Sequence, residues 1–261
     1  MRRVTSLAAA ALALSSMAGC ESTATPDSSQ PDVTSTPATT STTSHPPVTT
    51  SSPRPVAIPT GTALSWQTDT RYSSSGFWAP VEFVIADEGW WSLGWDELWI
   101  HVEHRTPDLT LPDLDLSIIA NAPRTPPEDL IAAITTREHL AVVQGPQPTT
   151  VAGHAAIRVD LVASTPPRPF PQECPGFAEL GGGGTRFSAS GLGVVLLTSP
   201  NPALPPASWA FGIAYCRVAR IWAVDAHGST ITIIAAPTEP DRFDDLIVLA
   251  DALVAGIEFG E

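Results

Sequence analysis

The residues of this chain that could do chemistry are few. His101-Val102-Glu103-His104 brings two imidazoles and a carboxylate together in one short run. A zinc protease holds its ion with HExxH on a helix, where both imidazoles reach one ion. Here the spacing is different and the pattern is that of a strand, so His104 points away from His101 and no metal site is expected. Asp113 and Asp115 are paired carboxylates by sequence, and they read as solvated acids rather than as a general acid and base. His139, His154 and His227 are scattered. There is no GxSxG nucleophile elbow. Gly181 to Gly184 lacks the Lys-Ser/Thr of a phosphate loop, and no GxGxxG follows a strand. The expectation is a protein that is not an enzyme, with no catalytic residues, no metal and no cofactor.

Two other groups of residues are candidates for binding or cross-linking. Trp78, Trp90, Trp91, Trp95 and Trp99 are five of the eight tryptophans. An indole buries a large area and donates one hydrogen bond, so such a cluster serves either a core or a ligand platform for a sugar or an apolar molecule. Cys20, Cys174 and Cys216 are the three cysteines. If Cys20 is modified, Cys174 and Cys216 are left as a pair, which in an exported protein forms a disulfide; two buried free thiols are the alternative. Neither has a CxxC partner for zinc.

The elements that position these residues begin with a leader. Met1-Arg2-Arg3 is positive, Val4 to Ala13 is apolar and uncharged, and Ala18 and Gly19 are small. That is the layout of a secretory signal, and the run is too short to span a bilayer, which takes about 20 apolar residues. Met17-Ala18-Gly19-Cys20 resembles the lipobox of bacterial lipoproteins, although Leu is usual where Met17 stands. The resemblance implies cleavage before Cys20 and its acylation, with palmitate among the acyl groups. Two anchoring signals suffice for stable membrane attachment.

Glu21 to Thr60 is Ser, Thr and Pro with almost no large apolar side chain. Such a segment cannot bury enough apolar area to offset the entropy of ordering, so it is expected to be a disordered tether. The expected domains are therefore a signal peptide over 1–20, a tether over 21–60 and a globular domain over 61–261. The net charge is −14, from 13 basic and 27 acidic side chains, and every basic residue is Arg. That balance argues against nucleic acid, whose binding rests on clustered cations.

Within the domain, Val81, Phe83 and Ile85 alternate as in a strand, and Asp87-Glu88-Gly89 turns it. In the next strand Ile100, Val102 and His104 share one face, and Trp99, His101, Glu103 and Arg105 the other. Thr125-Pro126-Pro127-Glu128 reads as a capping box opening a helix to about Glu138. Gly145-Pro146 breaks the chain before a hairpin turning at Gly153-His154. Arg217 to Asp225 and Thr230 to Ala235 form the clearest hairpin, turning at Ala226-His227-Gly228-Ser229. Pro240 opens an amphipathic helix with Phe243, Leu246, Ile247, Ala250, Leu253 and Val254 on one face, ended by Gly256. Ile257-Glu258-Phe259 is a last short strand.

The block RIWAVDAHGSTITIIAAPTEPDRFDDLIVLADALVAGIEF, with PTTVAGHAAIRVDL and APVEFVIADEGW before it, is similar to uncharacterised actinobacterial lipoproteins. Their domains resemble, more distantly, the PsbP-like α+β fold. The resemblance implies placement and fold and carries no catalytic residues. Runs of strands with two separated helices predict an α+β single domain: a mainly antiparallel sheet with two principal helices packed on one face. The expected function is that of a membrane-anchored envelope lipoprotein on the extracytoplasmic face of the cell membrane. Its partners would be the membrane, through the lipid on Cys20, and an envelope protein, glycan or apolar ligand. The alternatives are a hydrolase of cell-wall or lipid substrates and a purely structural envelope assembly protein.

Overall fold

A computed structural model of the protein describes residues 54–58, 64–74, 76–78, 80–96, 99–107, 112–120, 125–164, 186–187, 193–198 and 210–260. The leader, Cys20, the Ser/Thr/Pro segment up to 53 and Cys174 lie outside these residues, as does the side chain of Trp95. All described residues fall in one compact unit, Ser51–Glu261.

Strands dominate that unit. They are β1 (Val56–Ala57), β2 (Leu64–Ser65), β3 (Arg71–Ser74), β4 (Val81–Val84), β5 (Trp90–Asp96), β6 (Trp99–His104) and β7 (Leu114–Ala120). Helix α1 (Pro127–Thr135) follows, then β8 (Leu140–Val151), β9 (His154–Ala163), β10 (Arg186–Phe187), β11 (Gly193–Thr198), β12 (Ala210–Ala214), β13 (Val218–Ala226) and β14 (Ser229–Pro237). A 3-10 turn, Pro240–Arg242, leads into α2 (Phe243–Ala255), and β15 (Ile257–Phe259) closes the chain. The strands form an eight-stranded sheet ordered β2-β5-β6-β7-β14-β13-β9-β8, a four-stranded sheet ordered β1-β3-β4-β15 and a three-stranded sheet ordered β10-β12-β11. No helix among the described residues is long and apolar enough to cross a membrane.

The expected α+β class is overturned: the molecule is more β than α+β, with three sheets and two α-helices among the described residues. The placement of the helices is corrected too. Ile231, Ile233 and Ala235 of β14 join a core with Phe243, Ile247, Ala250, Leu253 and Val254 of α2, and with Tyr72 and Phe83 of the four-stranded sheet. The intervening Ile234 and Ala236 join a second core with Leu130, Ile131 and Ile134 of α1, and with Leu196, Phe211 and Ile213 of the three-stranded sheet. Successive strand residues point to opposite faces, so the two helices cover opposite faces of the large sheet. This explains why β14 is buried throughout. A strand covered on both faces reads as a continuous apolar run, and the alternation that would show one wet face is missing.

Arg220 links the large sheet to α2. Its guanidinium donates to both oxygens of Asp160 on β9, each at 2.8 Å, and to Asp251 of α2 at 2.5 Å. The Asp160 bonds hold Arg220 charged well above its ordinary pKa, burial opposes them, and Asp251 adds to the pull.

Two local expectations fail for identifiable reasons. The N-cap of α1 is Pro126, with no side-chain cap bond, so Thr125 and Glu128 do not form the capping box. The carbonyl of Thr125 instead accepts a hydrogen bond from the Thr230 hydroxyl. Gly145-Pro146 does not end an element: β8 runs through it, with register shifts between Val142 and Gln144 and between Gln144 and Gln147. β8 is an edge strand, where proline and bulges are tolerated because one row of backbone groups needs no partner strand.

Candidate functional site

The HVEH run lies on β6, next to β7, and its two faces carry different polar groups. Ile100 and Val102 face the α2 core, while Trp99 packs against the α1 core. The expected division of faces therefore holds. His101, Glu103, His104, Asp113 and Asp115 are all buried. Asp115 is not a solvated acid, because β7 lies between β6 and β14 and both of its faces are covered; nor is Asp113, just before β7, which is buried against His104 and Thr106.

On one face, Glu103 stands directly across from Asp115, and His101 across from Ser117. His101 Nε2 contacts Asp115 Oδ1. His101 Nδ1 is buried and has no hydrogen-bond partner among the described residues. Arg105 donates to Glu103 Oε2 from Nη2 at 2.9 Å and from Nε at 3.3 Å, and its guanidinium sits 5.3 Å from the Trp91 ring centre. Trp99 donates from Nε1 to the Ser117 hydroxyl at 3.4 Å. One potential ligand atom from each of His101, Glu103 and Asp115 lies within 4.8 Å of the other two. Burial, and then the negative charge of Asp115, pushes the Glu103 carboxyl above the ordinary carboxylate range, against the pull of Arg105 and His101.

On the other face, His104 Nδ1 meets Asp113 Oδ1 at 2.8 Å, and its Nε2 meets the Glu88 carbonyl at 3.1 Å. Asp113 Oδ2 accepts from the Thr106 amide at 3.2 Å and from the Thr106 hydroxyl. Burial works to raise the Asp113 pKa, but the bonds from His104 and Thr106 outweigh it and hold the carboxyl below its ordinary range.

The tryptophans do not share one platform. Trp90 is 1% exposed and belongs to the α2 core. Trp91 and Trp99 are partly buried, Trp99 with its ring 5.6 Å from that of Phe211. Trp78, outside the strands, is 41% exposed. Cys216 follows β12 with φ +65; its expected partner, Cys174, lies outside the described residues.

A concave surface that sequence reasoning missed lies at the start of α1. It is a cleft of about 510 Å³ between the first turn of α1, the adjoining strands β8 and β9, and the β13–β14 hairpin. Glu128, Thr149, Ile157, Asp225, Ser229 and Thr230 are among the residues that line it. Its elements are far apart in the chain, so no local motif announces it. The Thr125–Pro127 segment marked a helix start, and only the pairing of β9 with β13 brings the hairpin to it.

No family model matches the chain, and no curated protein matches it. Among solved structures the chain is similar to cyanobacterial PsbP (CyanoP) from Synechocystis sp. PCC 6803. The two are 12% identical, with a TM-score of 0.33, over 78% of this chain and 95% of that one. It is also similar to LpqN of Mycobacterium tuberculosis, described as involved in cell envelope biogenesis. Here the identity is 10% and the TM-score 0.37, over 77% of this chain and 91% of that one. At these TM-scores the likeness carries no argument about this chain.

Proposed function

We propose that the protein is a lipid-anchored domain of the cell envelope that captures a ligand and does not transform it. The leader and the Met17-Ala18-Gly19-Cys20 run support acylation at Cys20, and the Ser/Thr/Pro composition from 21 to 53 supports a tether; the displayed domain would begin with β1, which pairs with β3 ahead of the expected boundary at 61. A Cys174–Cys216 disulfide would staple that domain on the oxidising side of the membrane. Cys20→Ala should release the protein from the membrane fraction into the medium; retention of this variant on membranes would overturn the anchor.

The observation that carries the binding reading is the cleft at the start of α1. Its volume is that of a small-molecule site, about 300–1,000 Å³. Its lining mixes the methyls of Ile157 and the prolines with the hydroxyls of Thr149, Ser229 and Thr230, and it holds the carboxylates of Glu128 and Asp225. This suits an envelope ligand with an apolar body and hydroxyl or amine groups. A benzophenone side chain placed at Ala155 in the cleft should capture an adduct in irradiated intact cells. The same group at Val248, exposed on α2, should not. No adduct at 155, or the same adduct at both positions, would end the cleft reading. Trp78, 41% exposed, offers a second point of contact for a glycan or apolar ligand.

A further inference from the structure

We propose that His101, Glu103 and Asp115 form a binding site for one divalent transition-metal ion of the zinc or manganese type, built into the β6–β7 strand pair. The site is separate from the cleft and does not depend on the proposed function.

The backbone brings these three side chains together. Residues two apart on a strand project to the same face, which aligns His101 with Glu103. The antiparallel register then sets Asp115 of β7 opposite Glu103. The three ligand atoms lie within 4.8 Å of one another, a span that one ion can bridge at metal–ligand distances of about 2.0–2.2 Å. One imidazole with two carboxylates is a donor set that suits zinc or manganese rather than calcium or magnesium, which prefer oxygen alone.

Two further observations point to a ligand rather than to a closed polar network. The first is the imidazole. The His101 side chain is 4% exposed; its Nε2 lies against Asp115, and its Nδ1 has no hydrogen-bond partner among the described residues. A buried imidazole nitrogen without a partner loses its hydration with nothing in exchange. The second is the pair of carboxylates. Glu103 is 2% exposed and Asp115 is fully buried, and they stand side by side across the strands. Two like charges at such a site repel, and a divalent cation between them removes the repulsion and adds coordination. Arg105 binds Glu103 through Oε2, so Oε1 stays outside that ion pair. The role would be structural, pinning β6 to β7 near the edge of the large sheet, because all three donors are buried.

The test uses detergent-solubilised full-length protein purified without chelator. Elemental analysis should find about one equivalent of zinc or manganese per chain. Stripping with chelator should lower the melting temperature by several degrees, and ZnCl₂ or MnCl₂ should restore it. Glu103→Gln should lose the equivalent and the metal-dependent shift while keeping the native circular dichroism spectrum. His101→Gln should do the same; if it fails to fold, Glu103→Gln and the titration decide. The double variant His154→Gln/His227→Gln removes a neighbouring imidazole pair, with ring centres 5.1 Å apart, and should keep the equivalent. The proposal is overturned if neither salt binds stoichiometrically or shifts the melting temperature. It is overturned equally if Glu103→Gln keeps the metal, or if the His154/His227 variant is the one that loses it.

Discussion

His101 and His104 sit three residues apart on one strand, one against Asp115 of β7 and the other against Asp113 just before it, yet their surroundings differ in kind. Around His104 the bonding is complete. Both ring nitrogens have partners, and Asp113 shares its oxygens between His104 and Thr106. Around His101 it is incomplete, with a bare ring nitrogen and a second carboxylate beside the first. A satisfied buried network specifies a fold, whereas a partly satisfied one is costly unless something else completes it. The same dipeptide chemistry therefore reads as architecture on one face and as a site on the other.

The largest expected effect comes from breaking the complete side. Asp113→Ala strands His104 and the Thr106 amide in a dry interior and should lower stability by about 3–5 kcal/mol, read from urea unfolding. A loss below about 1 kcal/mol would show that this network is not structural. Gly89→Ala attacks the same network through the backbone. Gly89 has φ +91, and a Cβ there would stand 2.7 Å from the Arg105 carbonyl and 2.9 Å from His104 Nε2. The expected cost is about 1–3 kcal/mol, again by urea unfolding. The smallest effect belongs to the incomplete side. In chelator-treated protein, Glu103→Gln keeps an oxygen for Arg105 and removes a charge next to Asp115, so stability should stay within about 1 kcal/mol of the parent. A loss as large as that of Asp113→Ala would erase the contrast between the two faces.

Much of the strand framework was legible. The β13–β14 hairpin, β4, β9, α2 and β15 stand where alternation, turn residues and helical periodicity put them. His227 and Gly228 both take positive φ, as a two-residue hairpin turn requires. What periodicity could not show is which layer covers which face. Ile233 and Ile234 are adjacent and equally apolar, yet one packs on α2 and the other belongs with α1. The single-face arrangement failed for that reason. The site was half legible: His101 and Glu103 fell on one face as the strand pattern predicts, but their third member comes from another strand. Asp115 was read as solvated because an Asp-Leu-Asp-Leu pattern looks like a strand with one wet face. The covering layer arrives from residues almost a hundred positions later, in β11 and β12.

The four-stranded sheet has a mechanical consequence. β1, where the described chain enters, pairs in parallel with β3 over only two residues, and the last strand, β15, closes the far side of the same sheet against β4. A pull arriving along the chain ahead of Arg54 would meet that short pairing first. It would peel β1 away like the end of a zip, and the load would pass next to Ile58, which is buried in the core that the large sheet shares.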